Sequence, residues 1–291
     1  MKHPVILAAA LALFAALPAH ADTQPSRFTD MVVGQGPDVI LIPGLGCSRA
    51  VWNDEVAKLK DRYRLHLIQV NGFGGAPARG NASGPVLQPT TDELHQYLVA
   101  NHLTGAPIIG HSLGATMGLL MAQQHPDDVK RLMIVDSLPF AGIMLGGPGA
   151  TATSVQSSAA KMRDKIAGQT QQAYAESEDD QVAHLVNSPR GLALAVAMAK
   201  ASDHTVMARV LYDDMTTDTR PMLAKVKAKV TVVYAYDPSI LLLPLSLVER
   251  LYQGSYAALP DKTMTRIDGS RHFIMYDQPE ALDRAIKTFL K

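Results

Sequence analysis

The sequence predicts an α/β fold: a mostly parallel sheet with helices on both faces, interrupted by one inserted helical segment. Two observations predict it. Short apolar runs alternate with amphipathic stretches of helical length, the pattern of strands whose crossovers pack back on their own sheet. The alternation stops once, between about residues 140 and 220, where the chain becomes Ala-, Met-, Ser- and Gln-rich without a strand pattern, and then resumes. At 291 residues and 47% hydrophobic, the chain can bury one large core. Lys+Arg (27) balances Asp+Glu (27), and aromatics are only 5%, which argues against electrostatic capture or base stacking of nucleic acid. A single cysteine, Cys47, excludes an internal disulfide and a thiolate zinc cage, and reads as a free, buried thiol.

From the N-terminus, Lys2 precedes an unbroken apolar run, Val5 to Leu17, and then Pro18-Ala19-His20-Ala21. This predicts an export signal over residues 1–21, cleaved after Ala21, with a periplasmic or secreted product starting at Asp22. The run is too short for a membrane span, which needs roughly 20 residues. Residues 22–291 then form one domain. Strands are expected over Phe28–Val33 and Val39–Ile42, divided by the turn residues Gly34-Gln35-Gly36-Pro37. A helix follows over about Ser48–Lys60 with Ser48 as N-cap, then a strand over Arg64–Val70. Thr90 with Glu93 reads as a capping box opening a helix to about His102. Ala106–Gly110 is a strand, Leu113–Gln124 a helix and Arg131–Val135 a strand. After the insertion come a strand at Val230–Ala235, a helix near Leu245–Tyr252, a strand at Thr263–Ile267 and a last helix over Pro279–Leu290.

The chemistry-bearing segment is Gly110-His111-Ser112-Leu113-Gly114, a G-x-S-x-G pentapeptide. Such a match arises by chance in roughly one chain in ten of this length. Its setting carries more weight, because an apolar strand enters and a helix leaves. That turn strains the serine backbone and exposes its hydroxyl, and Gly at the flanking positions removes side chains that would collide. Gly46-Cys47-Ser48-Arg49-Ala50 nearly matches, but four loop residues separate it from its strand, and Ser48 is better explained as a helix cap.

A serine hydroxyl needs a base oriented by a carboxylate. Of the ten histidines, His272 alone sits in a loop between a late strand and the last helix. For the acid, Asp237 directly follows the strand Val230–Ala235, on the sheet edge that carries Ser112, and is the favoured residue. Asp136, at the end of an earlier strand, meets the same criterion and stands second; Asp268 is too close to His272 in sequence. The backbone N–H groups of Leu113 and of Leu45, in Pro43-Gly44-Leu45-Gly46, are the expected oxyanion donors.

With these pieces in order, the chain resembles the α/β-hydrolase superfamily over nearly all of residues 28–290. The resembling motifs are Leu41-Ile42-Pro43-Gly44-Leu45-Gly46, Asn71-Gly72-Phe73-Gly74-Gly75, the Ser112 pentapeptide, Tyr236-Asp237-Pro238, and His272-Phe273-Ile274 with Pro279-Glu280. The resemblance implies an eight-stranded sheet, a helical lid after the sixth strand, a Ser-His-Asp triad and no cofactor. Three residues depart from the family pattern: Pro43 stands for a His, Asn71 for an Asp and Arg271 for a Gly. Having Ser rather than Asp at the elbow argues against dehalogenase and epoxide-hydrolase chemistry.

The expected reaction is hydrolysis of a small or medium uncharged acyl ester through an acyl-enzyme on Ser112, without cofactor or metal. Lactone, amide or peptide and C–C bond cleavage, and perhydrolysis, use the same triad. A non-catalytic ligand-binding protein of this fold is the alternative from another class. The insertion carries Met144, Met162, Met198, Met207 and Met215, which suggest an adaptable apolar pocket, although Met at helical spacing is more often ordinary core.

Overall fold

The computed structural model describes residues 26–239 and 244–291. The export signal expected over residues 1–21 lies outside them. Among the described residues no helix is long and apolar enough to cross a membrane.

Seven strands form one sheet: β1 (Phe28–Val33), β2 (Asp38–Ile42), β3 (Arg64–Val70), β4 (Ile108–His111), β5 (Arg131–Val135), β6 (Lys229–Tyr236) and β7 (Lys262–Asp268). Their order is β1-β3-β2-β4-β5-β6-β7, with β1 antiparallel to β3 and every other pair parallel. The eighth strand implied by the family resemblance is not present among the described residues. The insertion accordingly follows the fifth strand.

The helices are α1 (Asn53–Leu59), α2 (Leu87–Ala100), α3 (Leu113–Gln124), α4 (Ile143–Gly146), α5 (Ala152–Ala167), α6 (Gln171–Ala183), α7 (Pro189–Ala201), α8 (His204–Thr216), α9 (Leu245–Ser255), α10 (Ile274–Asp277) and α11 (Pro279–Phe289). Alternate residues of the central strands feed two cores. Ile40, Ile42, Ile108 and Ile134 face α2 and α3 on one side. Val39, Leu41, Ile109 and Val135 face α11 on the other, which turns Leu282, Ile286 and Phe289 inward. Strands buried on both faces read as continuous apolar runs, and the short β2 and β5 do after their first residue.

Chain order reverses between β2 and β4: β3 lies on one side of β2 and β4 on the other. The loops leaving β2 and β4 therefore diverge at the carboxyl edge of the sheet, where open parallel sheets generally bind ligands. Pro43-Gly44-Leu45-Gly46 and Ser112 are the two loops at that point.

The inserted segment contributes α4 to α8. Thr151, Thr170, Ser188 and Asp203 cap the four longer helices with their own side chains, which satisfies otherwise orphaned N–H groups. Helix α5 packs on α8, and α6 on α7.

Two local expectations fail for identifiable reasons. Helix α2 begins at Leu87, so Thr90 lies inside it, and its hydroxyl bonds Asn81 rather than capping a terminus. Glu93 instead holds the backbone N–H groups of Ser26 and Arg27. Ser48 occupies an N-cap position without a side-chain cap bond, ahead of a 3-10 turn over Arg49–Trp52.

Candidate active site

Ser112 sits where β4 gives way to α3, with φ +51° and ψ −120°. A non-glycine residue held at positive φ is strained, and here the surroundings enforce it. A Cβ at Gly110 would lie 2.4 Å from the Gly114 carbonyl oxygen, and one at Gly114 would lie 2.4 Å from the Ile42 carbonyl oxygen. Only glycine lets strand, turn and helix approach this closely. The Ser112 N–H donates to the Val135 carbonyl at 3.0 Å, which locks the turn to β5.

Strand register then decides which carboxylate is near. His111 pairs with Val135 across β4 and β5, so Ser112 and Asp136 are adjacent strand exits. Asp136 is also held at positive φ (+47°). One of its carboxylate oxygens, Oδ1, accepts from the Ala235 N–H at 2.9 Å and from the Tyr252 hydroxyl at 3.1 Å. Oδ2 lies 2.8 Å from His272 Nδ1. Burial, and next the Asp136 charge, push the Tyr252 hydroxyl well above its ordinary pKa, so it remains a donor.

This geometry corrects the expectation that Asp237 orients His272. Asp237 accepts from the Ser239 backbone at 2.9 Å, the Ser239 hydroxyl at 2.8 Å, the Asn187 amide at 2.8 Å and Arg271 Nε at 3.2 Å. Burial raises its pKa, but the hydrogen bonds from Ser239, Asn187 and Arg271 outweigh this and bring it down to about 2. Arg271 also donates to the carbonyls of Ala183 and Val186, in the inserted segment. Asp277 accepts from the N–H groups of Asn187, Ser188 and Arg271. Asp237 and Arg271 thus clamp the insertion to the loop that carries His272. The guanidinium next to His272 was the available sequence signal, since a cation there claims the nearest carboxylate.

His111 completes the contact between elbow and loop. Its ring is fully buried, lies 4.6 Å from the His272 ring between centroids, and its Nε2 meets the His272 carbonyl at 3.1 Å. Burial first, and the neighbouring His272 second, lower its pKa well below the usual histidine value. A neutral ring donating from Nε2 therefore ties the His272 backbone to the elbow residue that precedes Ser112.

The expected oxyanion donors lie on the segments that leave β2 and β4. Among the described residues, neither the Leu45 N–H nor the Leu113 N–H has an acceptor. Leu113 opens α3, whose positive end faces the same spot. Leu45, Ser112, Asp136 and His272 are all partly exposed. The buried Ser202 hydroxyl of the insertion donates to the Gly46 carbonyl at 3.1 Å and accepts from the Gly74 N–H at 2.9 Å, bracing the donor loop. Met207 packs on Gly46, and the Met198 sulfur meets the Ser48 N–H at 3.4 Å, whereas Met144 is 76% exposed. Cys47 is buried, and burial pushes its thiol up to about 12. It is an inert packing residue.

Asp214 was not visible in the sequence. It lies on α8, buried, and accepts from the Thr116 hydroxyl at 3.2 Å, one turn into α3. Burial raises its pKa to about 6, against the lowering by Thr116 and His272. A raised carboxyl pKa favours the folded state below the unfolded value near 3.8, and that contribution is lost as pH rises through about 6. Asp214→Asn is therefore expected to be more stable than wild type at pH 7.5 by as much as about 3 kcal/mol. The gap should close towards pH 4.5 in urea unfolding; a gap independent of pH would contradict the assignment.

A serine at a strained strand-to-helix turn, a histidine paired with a carboxylate and two free N–H groups define a nucleophile-elbow site. The comparisons agree with this class. The model of the Alpha/beta hydrolase family matches residues 39–285, and the chain belongs to that family. A pimeloyl-(acyl-carrier protein) methyl ester esterase of Aeromonas hydrophila is 34% identical over 106 residues, 36% of this chain and 40% of that protein. The same enzyme of Vibrio vulnificus is 35% identical over 36% of this chain and 39% of its own length. The matched part thus spans about two fifths of the curated relatives. Among solved structures, a thermophilic esterase from Thermogutta terrifontis superposes with TM-score 0.73 at 16% identity, covering 90% of this chain and 92% of that one. An enol-lactonase from Burkholderia xenovorans superposes with TM-score 0.72 at 18% identity, covering 90% and 96%. Likeness at that identity is likeness of fold.

Proposed function

We propose that the protein is a serine esterase in which Ser112, His272 and Asp136 form the triad, acting on small or medium uncharged acyl esters. The observation that carries the reading is the 2.8 Å contact between His272 Nδ1 and Asp136 Oδ2, on the loop that His111 ties to the elbow. With Nδ1–H donated to Asp136, His272 Nε2 is the basic nitrogen and takes the Ser112 proton as Oγ attacks the ester carbonyl. The Leu45 and Leu113 amides receive the oxyanion. The Oγ–carbon bond forms, the carbon–alkoxy bond breaks, and the Nε2 proton passes to the leaving alcohol. Water, deprotonated by the same nitrogen, then cleaves the acyl-enzyme and restores Ser112.

Ester chemistry is supported further by the methyl ester esterase relatives. Export of the chain belongs to the same proposal and rests on the apolar run and small-residue pattern before Asp22. A panel of p-nitrophenyl esters from acetate to palmitate, with lactones and amides beside it, tests the reading. Highest kcat/KM is expected on short and medium uncharged acyl esters. Preference for amides, or for charged or very long acyl groups, would overturn it.

A further inference from the structure

Far from Ser112, three metal-ligand side chains converge. His95 projects from α2, His125 follows the last residue of α3, and Asp128 lies in the turn beyond. One ligand atom from each lies within 4.8 Å of the others. Because α3 rises about 1.5 Å per residue away from Ser112, its 12 residues put this cluster at the opposite end of the helix, about 18 Å from the site.

We propose that His95, His125 and Asp128 form a surface site for a divalent zinc-class cation that staples α2 to the turn after α3. The donor set is two imidazoles and one carboxylate, which suits Zn²⁺, Co²⁺ or Ni²⁺ and disfavours Mg²⁺ and Ca²⁺. His95 Nε2 is already 2.8 Å from Asp128 Oδ2. The His95 and His125 rings stack face to face, with centroids 3.4 Å apart and planes within 5°. Two imidazolium ions would repel in that stack, so at least one ring presents a lone pair. The His125 ring has no hydrogen-bond partner among the described residues, which leaves its nitrogens available.

The backbone of this turn is tied on both sides. The Asp128 N–H donates to the His125 carbonyl at 3.0 Å, and the Asp128 carbonyl accepts from Gly105 N–H at 2.7 Å. Lys227 is engaged with Asp127 at 3.0 Å. Tetrahedral zinc with bonds of about 2.0–2.1 Å spaces its ligands roughly 3.3 Å apart, so donors that all lie within 4.8 Å close by at most about 1.5 Å, while the 2.8 Å His95–Asp128 pair opens slightly. Tilting the two partly exposed rings out of their stack supplies that movement. Water completes the coordination, as the three donors leave a fourth position open.

Calorimetric titration of tag-free protein with ZnCl₂ at pH 7.5 tests the site, with thermal melts alongside. One saturable equivalent per chain is expected, and a Tm rise of about 5 °C at roughly 100-fold excess over Kd. His125→Gln and Asp128→Asn should each abolish both, leaving ester turnover in metal-free buffer unchanged. CoCl₂ should give visible absorption bands that the same substitutions remove. No saturable binding, or binding and a Tm rise undiminished in both variants, overturns the site and places any metal elsewhere, His272 included.

Discussion

Asp136→Asn is expected to lower kcat for ester hydrolysis by about 10⁴-fold, and Asp237→Asn by less than about tenfold. The difference follows from what each carboxylate accepts. The Ala235 N–H and Tyr252 hydroxyl both donate to Asp136 Oδ1. An asparagine there keeps its oxygen towards those donors and turns its NH₂ towards His272. His272 Nδ1 must then accept, its proton moves to Nε2, and the nitrogen proposed to deprotonate Ser112 can no longer act as a base. Geometry survives while the tautomer is wrong. Asp237 serves a different load, holding Arg271, Asn187 and Ser239. Its loss loosens the insertion but leaves the imidazole paired. Steady-state kinetics of both variants on one ester decide the matter: a large loss from Asp237→Asn with Asp136→Asn near wild type would return the acid to Asp237.

The second large effect is expected at the nucleophile. Ser112→Ala should reduce kcat by about 10⁶-fold, since no other hydroxyl at the elbow can form the acyl-enzyme. Alanine keeps the strained turn and removes only the oxygen, so a circular-dichroism melt should remain within a few degrees of wild type. Undiminished turnover would remove Ser112 from the reaction.

Much of this architecture was legible in the sequence because punctuation and periodicity agreed. Phe28–Val33, Arg64–Val70, Leu113–Gln124 and Arg131–Val135 have the same ends in the structure as in the pattern, followed by Gly34, Asn71-Gly72, His125-Pro126 and Asp136. The elbow was legible because G-x-S-x-G falls where a short apolar strand meets a helix. The choice between Asp136 and Asp237 was not, because both follow parallel strands at the same sheet edge. It turns on lateral position: Asp136 leaves the strand next to Ser112, while Asp237 is one strand further away and neutralised by Arg271. Strand order is a property of the assembled sheet, and sequence order conceals it. Asp214 and Thr116 were hidden for a related reason. A polar residue on a helix looks solvated until a second element meets it, and here Asp214 of α8 meets Thr116 of α3. The short α10, four residues long, carries too little periodicity to announce itself.

The central claim is that Ser112 is the atom donor to a covalent intermediate. Mass spectrometry of the protein after treatment with a fluorophosphonate reads this directly. One phosphonyl group is predicted, on the peptide containing Ser112, absent from Ser112→Ala and formed far more slowly in Asp136→Asn. A label on Ser48 or any other residue, or no label on an enzyme that still hydrolyses esters, would contradict the account.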